Sequence, residues 1–126
     1  MIPKFRVWGK EKQAMSTVEA IDYVNDKIYP FYRKYVRRYI PFEEAVLMRS
    51  TGLFDKNGVE IFEGDVVKLQ YTITSDFELF EVRQFRGGAW RIDNRRRGSE
   101  LWLRNEDCEV VGNIHENPDL LESVEE

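Results

Sequence analysis

The chain has 126 residues, 42% of them hydrophobic and 13% aromatic, with a formal net charge of −4. That length buries about two-thirds of the unfolded surface, enough for a core without staples, and the apolar content excludes a disordered chain. The acidic balance works against sequence-independent binding of nucleic acid, which gains affinity from Lys and Arg on phosphates. A single cysteine, Cys108, excludes an intrachain disulfide and suits a reducing cytoplasm.

No apolar run approaches the roughly 18 residues of a membrane helix. Met1 to Lys10 carries no apolar core of a signal peptide, so neither membrane nor secretion is expected. The richness in flat rings leans the composition towards strands. One domain over 1–126 is expected, with approximate subdomains 1–58 and 59–118.

Lys4-Phe5-Arg6-Val7-Trp8 alternates polar and apolar residues, which predicts a strand with Phe5, Val7 and Gly9 on one face. Met15 to Ile28 supports two readings. Ser16-Thr17-Val18-Glu19 fits a capping box, and Val18, Ile21, Val24 and Ile28 recur at near-helical spacing. Asn25-Asp26-Lys27 is a turn signal between β-prone segments, which favours strands instead. The fold class is therefore mainly β, with α+β as the variant if 16–28 is helical.

Tyr29 to Phe42 is bracketed by Pro30 and Pro41 and reads as a surface hairpin or edge strand, its charges blunting the edge. Glu43 to Met48 reads as one helical turn leading into a strand. Asp55-Lys56-Asn57-Gly58 predicts a tight hairpin turn, because Asn-Gly supplies positive φ readily. Glu63-Gly64-Asp65 is the next turn. Gly52, Asn57, Gly58, Gly64 and Asp65 are the turn residues on which this architecture rests.

Strands are expected over Val59–Phe62, Val66–Ile73, Phe77–Phe85, Ala89–Ile92, Leu101–Leu103 and Glu109–His115. In Phe77–Phe85, alternation sets Phe77, Leu79, Glu81, Arg83 and Phe85 on one face, and Phe80, Val82 and Gln84 on the other. Arg86-Gly87-Gly88 turns it into the following strand. Asn117-Pro118 starts a short helix over Asp119-Leu120-Leu121 with Pro at the first helical position, and Ser123 to Glu126 should fray. About five short strands between residues 59 and 115 suit a small SH3-like β-barrel. An N-terminal strand meander would pack on it.

Three stretches together resemble the YopX family. They are Lys4-Phe5-Arg6-Val7-Trp8, the central run from Leu47-Met48 through Ser50-Thr51-Gly52-Leu53 and Asp55-Lys56-Asn57-Gly58 to Glu63-Gly64-Asp65-Val66-Val67, and Glu109-Val110-Val111-Gly112-Asn113-Ile114-His115-Glu116-Asn117-Pro118. The resemblance implies a phage or prophage protein of β-rich fold that forms oligomers. It also implies a short strand meander after the Phe-Arg-x-Trp start. It brings no catalytic residues and no biochemical function. Relatives often carry an aromatic residue where His115 stands, which lowers the weight of this histidine.

Catalytic chemistry is sparse. Cys108 and His115 are seven residues apart, which sets them on opposite faces of a regular strand. One His and one Cys are too few for structural zinc. Asp55-Lys56-Asn57-Gly58 departs from a calcium loop, because Val59 and Glu60 fill its fifth and sixth places. Glu60, Glu63 and Asp65 form an acidic cluster that could hold magnesium, although polar turns produce such clusters routinely. Gly87-Gly88 lacks the spacing of a phosphate-cradling loop. No enzyme, cofactor or metal is expected.

Two basic patches remain: Arg33, Lys34, Arg37 and Arg38 interleaved with Tyr32, Tyr35 and Tyr39, and the run Arg95, Arg96 and Arg97. Aromatics beside Arg and Lys can stack bases and hold phosphates. The resulting ranking puts first a non-catalytic phage or prophage accessory protein of the host cytoplasm that acts by binding or as a homo-oligomer. A small β-barrel that binds nucleic acid comes second, and the net charge predicts no appreciable affinity at physiological salt.

Overall fold

In the computed structural model, residues 4–30 and 39–125 are described. The chain divides into two compact units, Met1–Arg49 and Ser50–Glu126. Both are antiparallel β, and the described residues contain a single α-helix.

The first unit begins with β1 (Phe5–Gly9), β2 (Ala14–Asp22), β3 (Lys27–Pro30) and β4 (Ile40–Pro41). A 3-10 turn over Phe42–Glu44 then leads into β5 (Ala45–Phe54). Their order is β4-β3-β2-β1-β5, with Val7 opposite both Ser16 and Leu47. Val7, Ile28 and Ile40 form the core, flanked by Val18, Ile21, Phe42, Ala45 and Leu47. Burying that apolar side is the main stabilising term available to a sheet this size.

Residues 16–28 are strand-turn-strand, so the helical reading is wrong. The capping-box serine does not cap: Ser16 Oγ donates to the Thr17 carbonyl. Asp22 instead accepts the Val24 and Asn25 backbone N–H groups, which closes a turn, and Asp26 adopts φ +54°. The Asn25 side-chain amide also bonds Asp22 and holds its carboxyl below the usual range. Pairing with β1 along four residues outweighs a local helical preference. Most of Tyr29–Phe42 lies outside the described residues.

The second unit takes the last part of β5, then β6 (Glu60–Phe62), β7 (Asp65–Gln70), β8 (Phe77–Gln84), β9 (Trp90–Asp93), β10 (Gly98–Glu100) and β11 (Glu109–Asn113). β5 meets β6 through Ser50↔Phe62 and Phe54↔Glu60. Between those pairs β5 places Thr51, Gly52 and Leu53 opposite Ile61 alone, an irregularity that Gly52 accommodates at φ +77°. The other five strands run β10-β9-β8-β7-β11. Neither sheet closes on itself among the described residues.

The alternation read in Phe77–Phe85 decides the inner face. Phe80 and Val82 are fully buried with Ile61, Val67, Leu69, Ile92, Leu101 and Cys108, while Phe77 and Phe85 stay 57% and 47% exposed. Leu101–Leu103 is a 3-10 turn rather than a strand. Its three residues cannot alternate faces: Leu101 is fully buried, whereas Trp102 and Leu103 are exposed. The strand missed in the sequence is β10, which follows the arginine run directly.

The terminal helix, α1, spans Pro118–Glu125 and so continues past the expected fraying point at Ser123. Asn113 closes the turn before it: Oδ1 accepts the N–H groups of His115 and Glu116, and its amide donates to the Glu116 carboxylate; the Asn117 carbonyl then accepts Leu120 N–H in the first helical turn. Val124 is 2% exposed, which anchors the far end.

Two glycines serve different needs. Gly58 has φ +79° and open space around any added Cβ, whereas a Cβ on Gly112 would meet Asn117 and come within 2.7 Å of Leu120 Cδ1. Gly58→Ala should therefore cost about 1 kcal/mol through the backbone alone. Gly112→Ala should cost about 1–3 kcal/mol by pushing α1 off β11, and Gly112→Val more. Urea unfolding compares them; equal costs for Gly112→Ala and Gly112→Val would refute the steric reading.

Candidate functional site

Of the first basic patch, Arg33, Lys34, Tyr35, Arg37 and Arg38 lie outside the described residues. Tyr39 is half-buried, with its ring 6.3 Å from that of Tyr29 and Lys27 Nζ 4.4 Å from its centroid. A tyrosine used in this way has less face to offer a base.

The second patch is better defined. Asn94, Arg95, Arg96 and Arg97 form the turn between β9 and β10. Asn94 builds it: its N–H donates to the Arg97 carbonyl, and its Oδ1 accepts the N–H groups of Arg96 and Arg97 at 2.9 Å each. Its amide donates to Glu78 and to the Leu79 carbonyl, tying the turn to β8. The three arginines then diverge. Arg97 is committed to protein, with Nε 3.4 Å from the Glu78 carboxylate and its guanidinium 4.8 Å from the Tyr71 centroid. Arg95 and Arg96 are exposed.

Beside this turn lies a cleft of about 260 Å3. Phe77, Glu78 and Leu79 of β8 form one side, Asn94 to Arg96 another, and Val124 of α1 the floor. The Arg95 N–H donates to the Val124 carbonyl at 3.1 Å, which fixes the turn against the helix end. Lys68 Nζ sits 5.1 Å from the Phe77 centroid. Sequence reading set Phe77 on the face opposite Phe80 but could not bring it to the arginine turn. That juxtaposition depends on β8 pairing with β9 and on where α1 docks.

Other arginines are also held by rings. Arg104 lies 4.6 Å from the Tyr71 centroid and donates to the Tyr71 carbonyl at 2.8 Å. Arg91 lies 5.1 Å from the Phe85 centroid and 3.3 Å from Asp93.

The turn at Asp55 is a tie between strands. Asp55 is 5% exposed. Its Oδ1 accepts the N–H groups of Asn57 and Val59, and its Oδ2 accepts Val110 N–H from β11 at 2.9 Å. The Lys56 N–H donates to the Cys108 carbonyl, and Asn57 reaches Glu109. Burial alone would raise the Asp55 carboxyl, but the N–H groups of Val110, Val59 and Asn57 outweigh it and hold the group below its ordinary range. Asp-Lys-Asn-Gly announced the turn in the sequence; its reach to β11 carried no signal. The next turn is fixed the same way, with Asp65 Oδ2 accepting Phe62 N–H at 2.8 Å and Gly64 at φ +86°.

Two of the three residues in the acidic cluster, Glu60 and Asp65, take structural tasks. Glu60 accepts a hydrogen bond from Ser50 Oγ, and Asp65 caps its turn. Among the described residues, no three His, Cys, Asp or Glu side chains are grouped to hold a metal ion. Burial pushes the Cys108 thiol up to about 12, helped by the Asp55 charge, and its Sγ donates to the Asn105 carbonyl. It is a protonated core residue at neutral pH.

The family model described as YopX protein matches residues 4–122. A crystal structure of an Enterococcus faecalis protein is 29% identical with a TM-score of 0.66, covering 96% of this chain and 99% of that one. The crystal structure of protein yopX from Bacillus subtilis is 23% identical with a TM-score of 0.64, covering 99% and 100%. No curated protein sequence matches the chain.

The Asp55 tie sets a pH dependence. A carboxyl with a depressed folded pKa contributes stability above its unfolded value, near 3.8, and loses it as pH falls through the lower folded value. Asp55→Asn keeps one acceptor but turns an NH2 group towards Val110 N–H or Val59 N–H. It should cost about 1–3 kcal/mol at pH 7, and the gap to wild type should shrink as the pH falls below 3.8. Denaturant melts at several pH values test this; a pH-independent gap would count against the charge-based account.

Proposed function

This chain belongs to the YopX family, and from that premise we propose a non-catalytic accessory protein of phage or prophage origin that acts through binding, in part to copies of itself. The observation that carries the proposal is the exposure of large apolar side chains on the second unit. Phe54, Phe85, Trp102 and Leu103 are each 47–64% exposed. Where such side chains adjoin in one apolar patch they mark an interaction surface, and closed homo-oligomers are the usual assembly of one repeated chain.

The protein works in the cytoplasm of a bacterial host in this reading. One cysteine, buried and protonated, is compatible with a reducing compartment. No helix among the described residues is long and apolar enough to cross a membrane. The barrel-like platform suggested by the sequence is supported by five short antiparallel strands in one sheet.

A second reading is binding of nucleic acid. Arg95 and Arg96 on the β9–β10 turn, beside the exposed ring of Phe77, support it. The net charge of −4 weighs against it.

Self-association is directly measurable. Light scattering at micromolar concentration should give a mass above the 15.0 kDa of one chain. Trp102→Ser with Phe54→Ser should lower that mass while leaving the melting temperature nearly unchanged, since both side chains face water. A monomeric mass throughout a wide dilution series would defeat the proposal.

A further inference from the structure

We infer that Asn57-Gly58 is a deamidation site that the Asp55 turn holds closed, so that opening of the turn and conversion of Asn57 to an acid promote each other. This modification is independent of the binding role proposed above. Asparagine is a chemically labile side chain, and only at Asn57 does this chain place glycine after it. With no Cβ on the next residue, its backbone nitrogen can approach the asparagine Cγ. Base in water takes the Gly58 amide proton, and the nitrogen forms a bond to Asn57 Cγ. The bond from Cγ to the side-chain nitrogen then breaks, and that nitrogen leaves as ammonia with a proton returned from water. Water opens the resulting five-membered imide at either carbonyl. One product is an aspartyl residue. The other is an isoaspartyl residue, whose methylene lies in the main chain.

Asn57 and Gly58 are exposed, so water and base reach them. No atom lies within 4 Å of where a Gly58 Cβ would stand, so the approach is open on that side. The folded turn nevertheless withholds the attacking atom. Gly58 N–H donates to the Asp55 carbonyl at 3.0 Å, and the Asn57 side-chain amide donates to Glu109 at 3.3 Å. Asn57 N–H and Val59 N–H both donate to Asp55 Oδ1, which fixes the backbone on either side of the reacting bond. Attack therefore needs the turn to open first, and its rate follows the open population. The products oppose reclosure. An aspartyl carboxylate replaces the amide beside Glu109 and sets like charges where a hydrogen bond stood. The isoaspartyl methylene lengthens the chain between the N–H groups of Asn57 and Gly58, so Asp55 loses its present fit to the turn. Asp55 also accepts Val110 N–H, which passes the damage to β11.

The test incubates the full chain at mildly alkaline pH, folded and in concentrated urea, and follows every asparagine by peptide mass mapping. In urea, Asn57 should convert before the others. In the folded protein it should convert at least about tenfold more slowly than in urea. Asp55→Ala should speed conversion of the folded protein roughly 5- to 100-fold, with the urea rate as the ceiling. Purified deamidated protein should unfold at a lower urea concentration than wild type, and its Val110 amide should exchange hydrogen faster. Where Asp55→Ala does not fold, wild type in urea below its unfolding transition carries the same test: conversion should accelerate ahead of global unfolding. Equal rates in folded and urea-unfolded wild type refute protection by the turn. Conversion led by another asparagine in urea refutes the site. A folded Asp55→Ala protein of lower stability and unchanged rate refutes the role of the tie. Deamidated protein as stable as wild type refutes the link to β11.

Discussion

The Asp55 carboxylate accepts N–H groups from Asn57 and Val59 in its own turn and from Val110 in β11. A buried carboxylate is expensive unless its oxygens are filled, and backbone donors fill them without side-chain entropy. This constraint brings residues far apart in sequence into register. β11 is pinned at Val110 on one side and pairs with β7 on the other. Once β11 is fixed, Gly64 completes the next joint, donating to Val82 and accepting from Ile114. Asn113 at the end of β11 then closes the turn that leads into α1. From Asp55 through β11 to the turn before α1, side-chain oxygens and carbonyls thus take up the backbone N–H groups in succession.

Arginine is distributed by a different logic. Tyr71 holds Arg97 and Arg104 near its ring, and its hydroxyl donates to the Gly98 carbonyl at 3.0 Å. Phe85 holds Arg91. A guanidinium over a ring keeps its charge while covering apolar surface, which is worth about 0.5–1 kcal/mol at an exposed site. These residues brace the β9–β10 hairpin and leave Arg95 and Arg96 at its tip. Counting cations in the sequence therefore overstates what is available to a phosphate. The run Arg95-Arg96-Arg97 separates into a brace and a surface pair only after Asn94 has folded the turn.

The legible parts of the sequence were those set by local chemistry. Asn57-Gly58 and Glu63-Gly64-Asp65 marked turns because the backbone there must reach positive φ, and Gly58 and Gly64 do so. Period-two alternation separated Phe80 and Val82 from Phe77 and Phe85 because a strand has two faces. The illegible parts depended on partners distant in sequence. Ser16-Thr17-Val18-Glu19 is locally good helix-start chemistry, yet β1 supplies a ladder that a helix could not use. Leu101-Trp102-Leu103 has strand composition, but only Leu101 has a core to enter. The cleft at Phe77 was unreadable for the same reason: β8, the Asn94 turn and α1 meet there only after the sheet order is set.

The placement of Asp55 also bears on chemistry. Its negative charge adds to burial in raising the Cys108 thiol to about 12, while Lys56 N–H holds the Cys108 carbonyl. Burial, helped by the Asp55 charge, thus keeps the Cys108 thiol protonated and away from water. A reactive cysteine needs the opposite setting, with a nearby cation and access to solvent. Here the cations are drawn to Tyr71, Phe85 and the β9–β10 tip, and the core beside Cys108 is acidic and apolar. Organising this unit around a buried carboxylate leaves its chemical variety at the surface, where exposed rings and two arginines meet water. That division between an inert interior and a mixed aromatic and basic exterior is the premise from which the binding proposal starts.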